Sequence, residues 1–111
     1  MDVGCKLFKI KPDALEDVRT WQATLNARKA ECVQTLRDEG VMVESVFLAE
    51  LPDGPYLVYY IRATDLEVAA QVAGQSTHEI DRIHKNFMQN IVAKRLPTEL
   101  LLDVTANETD A

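Results

Sequence analysis

The chain is poor in cysteine: Cys5 and Cys32 are the two it has among 111 residues. Neither belongs to a CxxC pair or to a spacing that would ligate a metal, so neither a disulfide framework nor a zinc site is expected. Both are expected as free, buried thiols of a reducing cytoplasm. Basic surplus is also missing. Twelve Lys and Arg stand against eighteen Asp and Glu, a net charge of −6, which makes the chain a poor partner for nucleic acid or an anionic membrane. No apolar run approaches the ~20 residues that cross a bilayer. The opening Met-Asp-Val-Gly-Cys carries no basic region before a long apolar stretch, so no signal peptide is expected. Phosphate-cradling glycine loops, a GxSxG elbow and a zinc-ligand quartet are absent from the sequence. So is the Gly-aromatic pattern of an RNA-reading strand. No repeat, low-complexity block or linker divides the chain. One domain over residues 1–104 and an acidic, disordered tail over 105–111 are expected.

What remains is an order of periodic segments. Residues 3–10 are β-prone and stop at Pro12. Asp13 and Glu16 form a capping-box pattern for one long helix to Glu39, with Leu15, Val18, Gln22, Leu25, Lys29, Cys32 and Leu36 at three- and four-residue steps. Gly40 is a natural stop. Val41–Leu51 and Tyr56–Ala63 read as strands of a hairpin, turned by Pro52-Asp53-Gly54-Pro55 with Asp-Gly at its centre. Thr64 with Glu67, and Ser76 with Glu79, predict two further helix starts. The second of these helices spans Ser76–Ala93, carries Ile80, Ile83, Phe87 and Ile91, sets Lys94 and Arg95 at its C-terminal dipole, and stops at Pro97. Glu99–Val104 is predicted as the last strand. The sum is an α+β, ferredoxin-like βαββαβ domain: a four-stranded antiparallel sheet with helices on one face. The strands around the turn are apolar on both faces. The uncovered face of the sheet therefore needs a cover, and a homodimer built face to face supplies it.

The residues that could carry chemistry are few. His78, Asp81 and His84 follow at three-residue steps, which spread them over roughly 120° of a helix. That spread does not suit one shared metal ion, and no metal or cofactor is expected. A histidine facing a cavity could serve as a general base; the ordinary alternative is a solvated Asp81 and a His84 flanking the core stripe. Tyr59 and Tyr60 are adjacent on a strand and point to opposite faces. A Tyr/His pair at an apolar cavity could polarise a carbonyl; two aromatic packing residues are the plainer outcome. Arg28 could turn inward and hold a carboxylate, or lay its stem over the core with its head in water. Lys6 and Glu44 suggest an ion pair between neighbouring sheet positions.

Several blocks resemble a known family. Cys5-Lys-Leu-Phe-Lys-Ile-Lys-Pro12, Leu25-Asn-Ala-Arg28, Glu39-Gly-Val-Met-Val-Glu-Ser-Val-Phe-Leu48, Tyr56–Arg62 and Ser76-Thr-His-Glu-Ile-Asp-Arg-Ile-His-Lys-Asn-Phe87 are similar to a family of small uncharacterised bacterial and archaeal proteins. That family resembles the dimeric α/β-barrel superfamily, whose relatives include antibiotic-biosynthesis monooxygenases, stress-responsive A/B-barrel proteins and polyketide cyclases. The likeness covers about residues 3–95 and consists mainly of fold motifs. It implies a homodimer with two sheets packed into a barrel, and no defined activity. In some relatives a histidine early in the last helix lies near a small-molecule cavity; His78 and His84 both qualify. Haem-degrading relatives carry an aromatic residue, often tryptophan, on the third strand. Here the only tryptophan, Trp21, lies on the first helix, which does not support haem degradation.

Together these observations lead to the expectation of a cytoplasmic homodimer. It would carry a small-molecule cavity opening near the start of the Ser76–Ala93 helix, with His78, His84, Tyr59, Tyr60 and Arg28 as candidate lining. The ligand expected there is a small anionic or aromatic metabolite. A cofactor-independent monooxygenase- or cyclase-type enzyme and a non-enzymatic stress, regulatory or metabolite-binding module are both compatible with it.

Overall fold

The computed structural model describes residues 1–106; the expected disordered tail lies, from residue 107 on, outside the described residues. The chain runs β1 (Asp2–Ile10), α1 (Leu15–Ala27), α2 (Lys29–Glu39), β2 (Val41–Leu51), β3 (Gly54–Ala63), α3 (Leu66–Gly74), α4 (Glu79–Ile91) and β4 (Val92–Leu96). The strands form one antiparallel sheet in the order β2-β3-β1-β4. The fold is the ferredoxin-like α+β arrangement that the segment order implies.

Residues opposite one another in an antiparallel ladder share a face, and the faces alternate along each strand. Phe8 pairs with Leu57, Lys6 with Tyr59, and Tyr59 with Val46. Phe8, Ile10, Leu57 and Tyr59 pack with Ala14 and Val18 of the first helical arm and Met88 and Ile91 of α4, so this parity faces the helices. A second cluster joins Val41, Ala63 and Ala69 to Leu36, Ile61 and Leu66. Ile10, Leu57 and Ile91 are buried completely, each worth roughly 1.5–3 kcal/mol of transfer free energy. The opposite parity includes Val43, Phe47 and Leu51, and all three are exposed. It also carries Tyr60, the neighbour that points away from the helices.

The predicted single helix is two helices. Arg28, at φ −118° and ψ 37°, leaves helical geometry and ends one arm and begins the next. Thr20, Thr24 and Asn26 bond back through their side chains to the carbonyls four residues earlier, a habit that bends helices. Three of the predicted caps also shift. Residue Ala14, not Asp13, precedes α1, and no side chain caps it. Asp65, not Thr64, caps α3, its carboxylate accepting from the backbone N–H of Glu67 and Val68. The Ser76 hydroxyl accepts from the backbone N–H of His78, which closes a short turn and defers the helix to Glu79.

The last strand is Val92–Leu96, pairing with β1 from Leu7 to Ile10, whereas Glu99–Val104 has no regular ladder. Pro97 offers no N–H and ends the pairing. Lys94 and Arg95 are therefore strand residues, not a helix terminus. Two expectations about the hairpin and Gly40 are met in outline. Gly40 closes α2 at φ 72°, a left-handed value, and Leu51 pairs with Gly54 across a two-residue loop. The loop residues are Pro52 and Asp53, one position earlier than the predicted Asp-Gly centre. Both cysteines are free, but Cys5 is exposed rather than buried, because its parity is that of the uncovered face.

Candidate functional site

One cleft brings together ionisable groups from three elements. It holds about 280 Å³ and is lined by Thr35, Asp38, Glu39, Val72, Gln75, Ser76, Thr77, His78 and Asp81. The C-terminal end of α2, the α3–α4 turn and the first turn of α4 build it. A neighbouring cleft shares Ser76, Thr77 and His78 and continues along α4 past Arg82 and Lys85. Both clefts are lined by Ser76, Thr77 and His78, just ahead of α4.

At the rim, His78 Nε2 lies 2.8 Å from Asp38 Oδ2. Bonds from the His78 and Gln34 side chains hold the Asp38 carboxyl below the usual carboxylate range. Glu39 stands beside it at the end of α2. Loss of hydration, with Asp81, Glu44 and Asp38 close by, pushes its carboxyl up to about 7. Deeper in, Asp81 Oδ2 is fully shielded from solvent and has no hydrogen-bond partner. An unpaired buried carboxylate oxygen is costly and uncommon. Glu44 also titrates high through loss of hydration and the charge of Asp81, eased by Lys6. Burial, with the charges of Glu44, Asp81 and Glu31, raises the Cys32 thiol. At neutral pH the raised Glu39 carboxyl, partly protonated, therefore stands beside the ionised Asp38.

The second cluster is aromatic. Trp21 stacks on Phe87 with centroids 4.7 Å apart, and its indole N–H donates to His84 Nδ1 at 3.2 Å. Tyr59 lies 5.9 Å, centroid to centroid, from His84, and its hydroxyl donates to Met88 Sδ at 3.3 Å. Burial lowers the His84 pKa and raises that of Tyr59. His84 therefore meets the helix-facing tyrosine, as its spacing suggests, but through ring packing.

Of the five residues singled out in the sequence, only His78 lines either cleft. Tyr59 and His84 belong to the aromatic cluster. Tyr60 lies on the opposite sheet face, its hydroxyl accepting from Arg62. Arg28 turns to Glu31 and Glu79, so its charge is already neutralised by the chain's own carboxylates. Lys6 and Glu44 share the helix-facing side, but β3 lies between their strands and they make no direct pair. Glu39 and Glu44 escaped the sequence reading as site residues. Glu44 had a signal: it has the inward parity of Val46 and Leu48 on an apolar strand. Among the described residues no three His, Cys, Asp or Glu side chains are grouped to hold a metal ion, and no helix is long and apolar enough to cross a membrane.

Comparison with known proteins agrees with the fold. A family model described as "Family of unknown function (DUF6176)" matches residues 1–109. No curated protein matches. Among solved structures, an L-rhamnose mutarotase from Formosa agariphila is 18% identical with a TM-score of 0.62, over 95% of this chain and 100% of that one. Rv0793 from Mycobacterium tuberculosis is 20% identical with a TM-score of 0.54, over 94% and 95%. Likeness at this level of identity concerns the fold.

Proposed function

From the premise that the chain belongs to this family of unknown function (DUF6176), we propose that the cleft binds a small neutral polar molecule of the sugar or polyol class and moves protons on it. The observation that carries this is Asp81, a carboxylate with one oxygen buried and unpaired, in the same cleft as Glu39, whose carboxyl titrates near 7. One can accept a proton while the other donates one, the division of labour that acid–base catalysis requires. Thr35, Ser76, Thr77 and Gln75 offer hydroxyls and an amide for a hydroxylated ligand. The carboxylates oppose an anion, so a neutral ligand fits better than the anionic one suggested by sequence. In a cyclic hemiacetal, a carboxylate would take the anomeric hydroxyl proton while a carboxylic acid protonates the ring oxygen. The ring C–O bond breaks to give the open hydroxy-aldehyde, and reclosure on the other carbonyl face gives the other anomer. The mutarotase of like fold makes this the first reaction to try.

The monooxygenase- or cyclase-type alternative would draw on Tyr59 and His84. It has less support, because Met88 engages the Tyr59 hydroxyl and Trp21 engages His84 Nδ1. The same packing favours a binding module as the second reading. The test is anomer exchange by saturation-transfer NMR across a panel of aldoses. Acceleration by the protein, lost in Asp81→Asn and Glu39→Gln, is expected. A ligand that shifts the melting temperature without acceleration would leave the binding module; no acceleration and no ligand would remove the cleft from function.

We also propose a cytoplasmic homodimer. Its supports are two free thiols and an uncovered sheet face exposing Val43, Phe47 and Leu51.

A further inference from the structure

The two clefts differ in charge, and the change falls along one helix. The first is lined by the carboxylates of Asp38, Glu39 and Asp81, with no lysine or arginine among its lining. The second, of about 410 Å³, shares Ser76, Thr77 and His78 with it and adds Arg82, Lys85, Asn86 and Gln89. Glu79 also lines the second cleft, but both its oxygens face arginines. Oε2 lies 3.6 Å from Arg28 and Oε1 lies 3.5 Å from Arg82. Lys85 makes no ion pair among the described residues. Arg82, Lys85 and Gln89 follow at three- and four-residue steps, so they form a stripe along one side of α4. Helical residues turn by about 100° and rise about 1.5 Å each, which sets Lys85 about 40° from Asp81 and about 6 Å further along the axis. That offset matches the span from the anomeric oxygen of a hexopyranose to the group on its C6.

We propose that the second cleft is an anion subsite, and that the sugar turned over in the first carries an oxyanion at its far end, a carboxylate or a phosphate ester. The inference rests on the acid–base reading of the first cleft. That cleft still takes the uncharged ring; the addition is what the ring carries. A sugar so placed avoids the repulsion that the acids impose on an anion, because its charge lies over Arg82 and Lys85. The same charges select which end reacts. Entry the other way round would set the oxyanion against Asp38 and Asp81 and leave the cations without a partner. Asn86 and Gln89 add amide N–H donors beside the cations, and such donors serve carboxylate and phosphate oxygens alike.

The experiment uses the full chain and matched sugars: glucose, glucuronate and glucose 6-phosphate, with the corresponding galactose and mannose series. Saturation-transfer NMR reads anomer exchange, and backbone amide shifts read binding without turnover. In at least one series an anionic member should be exchanged with kcat/KM about fivefold or more above its neutral sugar. That advantage should shrink as sodium chloride is raised from about 20 mM to about 500 mM. Lys85→Gln and Arg82→Gln, both at exposed positions, should raise KM for the favoured anion about fivefold more than they lower kcat. Lys85→Arg should hold KM near the wild-type value. An advantage confined to the phosphate ester or to the uronate supports the subsite and identifies its oxyanion. Neutral and anionic sugars exchanged alike, or an anionic advantage that both Gln variants leave intact, keep the acid–base reading and overturn the subsite. No exchange of any sugar overturns the acid–base reading. The subsite then stands if glucuronate or glucose 6-phosphate shifts the amides of residues 82–89 and Lys85→Gln weakens that binding, and falls if neither sugar does so.

Discussion

Two residues give the domain opposing responses to pH. The folded Glu39 carboxyl titrates at about 7 against an ordinary 4.5. Between those values the folded state binds the extra proton, so this residue makes stability fall as pH rises from 4.5 to 7. His84 is depressed below its ordinary 6.5. There the unfolded state binds the extra proton, and stability falls as pH drops below 6.5. In the wild type the two trends oppose each other in the window below pH 6.5. Glu39→Gln should remove the first and expose the second, giving a stability profile that rises with pH through this window. It should also raise stability at pH 8 by on the order of 1 kcal/mol, after allowance for solvent around a half-exposed group. Urea melts at half-unit intervals check both; an unchanged slope would show that Glu39 titrates normally. Trp21 supplies a local readout, because protonated His84 has no lone pair at Nδ1 to accept the indole N–H. A shift in Trp21 emission should accompany the acid limb, and His84→Phe should abolish that shift. None of this was legible from spacing. His78 and His84 are conspicuous as residue types, but Glu39 looks like one more surface acid until α4 is laid beside α2.

At the scale of elements, hydrophobic periodicity located three of the four strands well, and the last strand and the helix ends poorly. Val41–Leu51 was readable to the residue because its apolar run is bounded by Gly40 and Pro52. Caps were displaced because several polar residues compete at each helix start, and the backbone angles that decide among them are set by packing. Thr64-Asp65 is such a case. The capping-box spacing favours Thr64 with Glu67, yet the carboxylate of Asp65 satisfies two N–H groups at 2.9 and 3.1 Å. Asp65→Ala should therefore cost about 1 kcal/mol, read as a fall in melting temperature of roughly 4 °C or more. Thr64→Ala should cost much less, and equal losses would mean that Thr64 shares the cap. The break at Arg28 was hidden for a different reason. A helix whose apolar stripe continues on both sides of a bend looks unbroken in sequence, and only the run of back-bonding Thr20, Thr24 and Asn26 hints at it. The last strand went to Glu99–Val104 because three leucines and a valine outweigh Val-Ala-Lys-Arg-Leu in apolar content, although Pro97 isolates them from the sheet.

At the scale of the molecule, the order of elements was sufficient for the fold, because a two-layer βαββαβ chain has few ways to bury its apolar faces. The site was not, since its acids come from α2 and α4 and converge only after packing. The sheet order carries one more consequence, for the chain as it is being made. β1 is synthesised first, yet it ends between β3 and β4, so its partners are residues 54–63 and 92–96. At 5–20 residues per second, a ribosome that has just added Ile10 needs roughly 4 to 17 s more to reach Leu96. Throughout that interval the nascent strand holds Phe8 and Ile10 with no finished sheet to receive them. The β2–β3 hairpin can close early by itself and β1 can join β3 once residue 63 is made, but the other edge of β1 must wait for residues 92–96. A translating cell thus carries this domain with one edge of β1 open to chaperones until residues 92–96 have been added.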